Sequence, residues 1–112
     1  MVTIQKLGQL KHLVRELQMD EERVLKITDP ELVELITGKI ERIKAEINLY
    51  TRFIQAVPDS QLRTAMVLRF FDGLSWADVS WKMGVKCEKY YANLLCKYMK
   101  KHGGQATWIN SN

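Results

Sequence analysis

The sequence has two prolines, Pro30 and Pro58, and two cysteines, Cys87 and Cys96, in 112 residues. So little proline leaves long helices unobstructed on either side of the two breaks. No stretch alternates apolar and polar residues far enough to make a half-buried strand, so an all-α chain is expected. The cysteines lie nine residues apart within one expected helix, ~13 Å along its axis and beyond disulfide reach. His12 and His102 fall in opposite halves, so no zinc site and no metal is expected. Also missing is any apolar run near the ~20 residues of a membrane span. Met1-Val2-Thr3-Ile4-Gln5-Lys6 lacks the pattern of a secretory signal, so the expectation is a cytoplasmic protein without a membrane partner. No glycine cluster has phosphate-loop spacing, and no Ser/His/Asp or Cys/His arrangement stands out. Neither an enzyme nor a cofactor is expected.

What is present is a folded helical chain with an uneven charge. The formal charge is +4, with nine Lys/Arg against nine Asp/Glu in residues 1–58 and eight against four in residues 59–112. All of the excess therefore sits in the C-terminal half, which points to a polyanionic partner for that half.

Apolar residues at helical spacing predict a first helix over about Thr3–Ile27, loosest around Met19-Asp20-Glu21-Glu22, where a bend or break is expected. Thr28-Asp29-Pro30-Glu31 starts a second helix. Thr28 or Asp29 can cap, proline is harmless in the first turn, and Glu31 sits where a capping box needs it. This helix runs to Val57 with Ile36, Ile40, Ile43, Ile47, Tyr50, Ile54 and Val57 spaced alternately by four and three. Such a heptad seam must face another helix, either the first one in a coiled-coil-like hairpin or a second copy of the chain in a homodimer. Pro58 closes it.

Three shorter helices follow. Asp59 or Ser60 caps the third, which stops at Gly73; Ser75-Trp76-Ala77-Asp78 opens the fourth, which ends at Gly84; the fifth covers about Cys87–Lys101. Short glycine-marked turns between three helices suit a helix-turn-helix, with Val79 and Met83 packing inward and Ser80 as the small residue where helices cross. The fifth helix has no acidic residue after Glu88. Its cations can neutralise phosphates and Asn93 can pair with adenine. The expected organisation is thus a helical assembly segment over 1–57, a three-helix domain over 58–102 and a polar tail over 103–112.

The run Leu68-Arg69-Phe70-Phe71-Asp72-Gly73-Leu74-Ser75-Trp76-Ala77-Asp78-Val79-Ser80-Trp81-Lys82-Met83-Gly84 resembles the start of sigma-70 region 4. That family reads approximately L-R-Y-x-x-G-x-S-x-x-E-I-A-x-x-L-G. The resemblance implies a DNA-binding helix-turn-helix that can also dock on RNA polymerase. The arrangement is similar to that of small phage and prophage regulators of Gram-positive bacteria. Nothing resembles region 2, so a complete sigma factor is not implied. Where the family places a capping Ser after Gly-hydrophobic, this chain has Lys86, and a turn longer by one residue would put Cys87 at the cap. In that register Tyr91, Leu94, Leu95 and Tyr98 face the core, and the other register buries Tyr90. The expected contacts to double-stranded DNA are Lys86, Lys89, Tyr90, Asn93, Lys97 and Lys100. The expected function is a sequence-specific transcriptional regulator. Two other readings stay open: a DNA-packaging protein resembling the small subunit of terminase, and an adaptor docked on RNA polymerase. Trp76 and Trp81 are too far around their helix to share a face, so one is expected against the N-terminal helices and the other on the surface.

Overall fold

The computed structural model of the chain describes residues 2–102, and among them there are six helices and no strand. Helix α1, Ile4–Leu7, is capped by Thr3, whose hydroxyl accepts from the Lys6 amide. Helix α2 covers Leu10–Lys26. The interruption in the first helical stretch therefore lies at Gly8-Gln9, and α2 passes unbroken through Met19–Glu22. At Gly8-Gln9 the Gln9 amide bonds back only three residues, to Lys6. This tightens the last turn of α1 at a residue of low helix propensity. The kink keeps Val2, Leu7 and Leu10 buried together.

The looseness at 19–22 has a different cause. Leu10, Leu13, Leu17, Asp20, Val24 and Ile27 repeat with alternating steps of three and four, so Asp20 occupies a slot in an otherwise apolar seam. Its side chain is buried, with Lys39 Nζ 3.1 Å from Oδ2 and Arg23 4.0 Å from Oδ1. Lys39 Nζ also lies 3.0 Å from Glu16. No well-aligned hydrogen bond reaches Asp20 Oδ2, so the carboxylate is held by charge rather than by directed bonding. A buried carboxylate without that ammonium would be strongly unfavourable.

Helix α3, Pro30–Gln55, packs along α2. Asp29, not Thr28, is its cap: the carboxylate accepts from the Glu31 amide at 3.0 Å, and the Thr28–Glu31 box is not the device used. Ile40, Ile43, Tyr50, Ile54 and Val57 are buried within the chain, with Ile36 and Ile47 half-buried.

Helices α4, Ser60–Phe70, α5, Trp76–Lys82, and α6, Tyr90–Lys101, follow. Asp59 caps α4 through the Gln61 and Leu62 amides, and Ser75 caps α5 through Asp78. Gly73 and Gly84 both take φ +77°, the left-handed conformation that lets a helix end within a residue or two. After Gly84, the Val85 amide bonds to Ser80 O at 2.9 Å and closes the end of α5. A single cluster of buried side chains runs from Val2, Leu7 and Leu10 through Tyr50 and Ile54 to Leu62, Met66, Val79, Tyr91, Leu95 and Met99. The core is therefore continuous across Pro58. Among the described residues no helix is long and apolar enough to cross a membrane. The expected polar tail, 103–112, lies outside the described residues.

Candidate nucleic-acid interface

Helix α5 is pinned to the segment before α6 by a small residue. Ser80 is buried, and its hydroxyl donates to Glu88 O at 3.2 Å. That bond fixes the Glu88 carbonyl, and the Tyr90 amide turns back to Cys87 O. Residues 87–89 thus form a turn, and α6 starts at Tyr90 rather than at Cys87. No side chain caps it: Lys89 stands at the N-cap position without a capping bond, and Cys87 is an exposed free thiol ahead of the helix. The first helical bond of α6 runs from the Asn93 amide to Lys89 O.

One face of α6 is apolar and the other polar. Tyr91, Leu95 and Met99 are buried, at steps of four. Leu94 and Tyr98 are half-buried, Tyr98 lying edge-on to Phe53 at 6.1 Å. Tyr90 is 44% exposed and Tyr91 is 2% exposed, so Tyr91 points inward and Tyr90 outward. Burial, more than the nearby Tyr90 and Asp59 groups, pushes the Tyr91 hydroxyl above its ordinary pKa. Asn93, Lys97 and Lys100 are exposed at helical spacing, with Lys89 and Tyr90 at the start of the same side. Lys86 is exposed too, but it belongs to the preceding turn, where it lines a shallow cleft with Trp81 and Val85. The structure therefore brings together five of the six expected contact residues on α6 and its cap, with Lys86 beside them on the turn.

The electrostatics of this region differ from those of the rest. Every ion pair among the described residues lies in α2–α3, between Glu16 and Lys44. The cations of α5–α6 have no carboxylate partner there. Residues 16–46 carry nine acidic against five basic side chains, whereas residues 1–15 and 47–112 together carry four against twelve. The neutral balance of the N-terminal half thus hides a basic leading segment, which joins the shared core through Leu7, Leu10 and Leu13 and reaches the α4–α5 turn through Lys11 Nζ and Asp72 O.

Of Trp76 and Trp81, one was expected against the N-terminal helices and the other on the surface. Trp76 packs edge-on against Phe70 at 5.9 Å with Arg69 over its ring at 5.6 Å, so its neighbours are on α4 rather than on the N-terminal helices. Trp81 is 81% exposed and is the surface tryptophan of the pair, beside the turn at Gly84. His12 and His102 are exposed, the latter stacked on Tyr98 at 4.4 Å. Among the described residues no group of three or more His, Cys, Asp and Glu could hold a metal. No protein-family model, curated protein or solved structure matches the chain.

Proposed function

We propose that the chain is a sequence-specific DNA-binding transcriptional regulator of phage or prophage type. Helices α4–α6 would form its helix-turn-helix, with α6 as the recognition helix and the α2–α3 hairpin as the element that braces it. The observation that carries this is the outer face of α6. Lys89, Asn93, Lys97 and Lys100 stand exposed, the lysines without a carboxylate partner among the described residues, backed by a face on which Tyr91, Leu95 and Met99 are buried. Cations that no acidic group neutralises suit phosphates, and an exposed Asn in the first turn of a recognition helix suits adenine N6 and N7. The resemblance of 68–84 to sigma-70 region 4 supports the same assignment. If the chain acts as a homodimer, the Ile36–Val57 seam is already used within one copy, so another surface would make that contact.

The test is binding of the full chain to a duplex selected from genomic fragments, measured over a series of salt concentrations. Each phosphate neutralised should contribute about −0.9 to the slope of log K against log salt. A flat salt response, or no complex at low salt, would refute the assignment.

A further inference from the structure

A second cationic site lies away from α6, in a cleft of about 380 Å³ between the start of α2 and the α4–α5 turn. Lys11, His12 and Arg15 line it from α2, Arg69 and Phe70 from α4, and Gly73 from the α4–α5 turn. Two of these groups are anchored. Lys11 Nζ donates to Asp72 O at 3.1 Å, and Arg69 donates to Leu74 O at 2.9 Å. Each keeps further N–H groups for an anion. His12 and Arg15 are exposed and make no hydrogen bond or ion pair with the described residues.

No acidic side chain lines the cleft. Asp72 offers its backbone carbonyl to Lys11, and among the described residues no ion pair involves its carboxylate. Like charges gathered without a counter-charge repel one another. The α2–α3 pair shows how this chain otherwise treats a cation, since Lys39 there has Glu16 and Asp20 within 3.1 Å. Anchored Lys11 and Arg69 beside an exposed Arg15, with no acidic side chain in the lining, suit an anion. Lys11 lies close over Gly73: a Cβ there would come within 2.7 Å of Lys11 Nζ, so a side chain at this position would displace the lysine.

We infer that this cleft binds a phosphate group, supplied by the DNA backbone beside the base pairs that α6 meets. The source rests on the proposed function. The cleft is open to one side, as a phosphodiester with two ester links requires, and Arg69 in its lining lies 5.6 Å from the Trp76 ring at the start of α5. In a helix-turn-helix the helix preceding the recognition helix crosses the backbone. Phosphate contacts of this kind set the register of the protein on the duplex and carry no sequence information.

The test uses the full chain and the double variant His12→Gln/Arg15→Gln, which leaves the anchored Lys11 and Arg69 in place. Its melting temperature should equal that of the wild type. Its affinity for preferred and scrambled duplexes should fall by the same factor, with a salt slope smaller by about one. If the wild type binds duplex and the double variant matches it in affinity and slope, the inference is wrong while the proposed function stands. If the wild type binds no duplex, the proposed function fails, and inorganic phosphate titrated against the His12 ring resonances decides the cleft. A shift in the wild type that is lost in Arg15→Gln would keep the phosphate site with a free anion as its source. No shift at millimolar phosphate would overturn it.

Discussion

The α2–α3 pair and the α4–α6 unit share one core and treat charge in opposite ways. In α2–α3 the cations near the helix contact are paired: Lys39 with Glu16 and Asp20, Lys44 with Glu21 and Glu41, Arg23 with Asp20. In α4–α6 the cations either donate to backbone carbonyls, as Arg63 does to Val57 and Arg69 to Leu74, or stand exposed. Both regions are held by apolar burial, so the difference lies in what the surface is left to do. Paired charges settle helix register inside the molecule, and unpaired ones are available to something outside it.

The largest effect should come from breaking the shared core on the paired side. Ile43 is 6% exposed in the α2–α3 contact, and Ile43→Asp would bury an unpaired carboxylate there. A loss of about 3–5 kcal/mol in unfolding free energy is expected, and urea denaturation measures it. An unchanged midpoint would show that the seam is not a structural contact.

On the unpaired side the expected effects move from stability to binding. Asn93→Ala should leave the melting temperature unaltered and weaken the preferred duplex by about 1–3 kcal/mol, with specificity relaxed at one position. Equal weakening on preferred and scrambled duplexes would remove Asn93 from base recognition. Lys97→Ala, one turn further along, should weaken all duplexes alike and reduce the salt slope by about one. If Lys97→Ala instead altered sequence preference, the division between base and phosphate contacts along α6 would be reversed.

The comparison can also be sharpened through pH. The Lys39 ammonium is held above its ordinary pKa of 10.5, chiefly by Glu16 and then by Asp20. A raised lysine stabilises the fold fully below its unfolded value and loses that contribution as pH rises through the folded one. Lys39→Met should therefore lower the melting temperature at neutral pH, with the difference from wild type narrowing above about pH 10.5. Asp20→Leu/Lys39→Met should restore it, since an apolar pair can replace an ion pair that is costly to desolvate. No recovery in the double variant would show that the pair does more than neutralise itself.

The smallest difference concerns the two thiols. Burial raises the Cys96 thiol above its ordinary pKa, and Cys87 is exposed in the turn before α6. Alkylation near pH 8, followed by mass spectrometry, should label Cys87 first. Equal rates would indicate that α6 opens readily.

Much of the fold was legible where a residue acts on its own backbone. Asp29-Pro30, Pro58, Ser75 and the two left-handed glycines mark helix ends through local geometry, and the structure places breaks at or beside each. Periodicity left two registers open for α6, and the structure takes the one that buries Tyr91 and exposes Tyr90. The misses arise where a distant partner decides. Asp20 broke the apparent seam because Lys39, nineteen residues on, makes its burial tolerable. The start of α6 shifted because Ser80 holds the Glu88 carbonyl, a bond that no cap residue announces. The cleft joins Lys11 to Arg69 across 58 positions, and the charge count over 1–58 averaged its basic side away against the acidic residues that follow.

That separation of charge has a further consequence. The described residues extend 53 Å along their longest axis. The acidic excess of 16–46 lies around the α2–α3 connection, and the basic excess lies around α4–α6. A body of this kind carries a permanent dipole, and the field of any polyanion exerts a torque on it. Screening confines that torque to roughly the last 8 Å of approach at physiological salt. Within that distance a chain approaching a polyanion would turn its basic end towards it, leaving Leu25 and Leu35, exposed in α2 and α3, on the side away from the polyanion and open to the solvent.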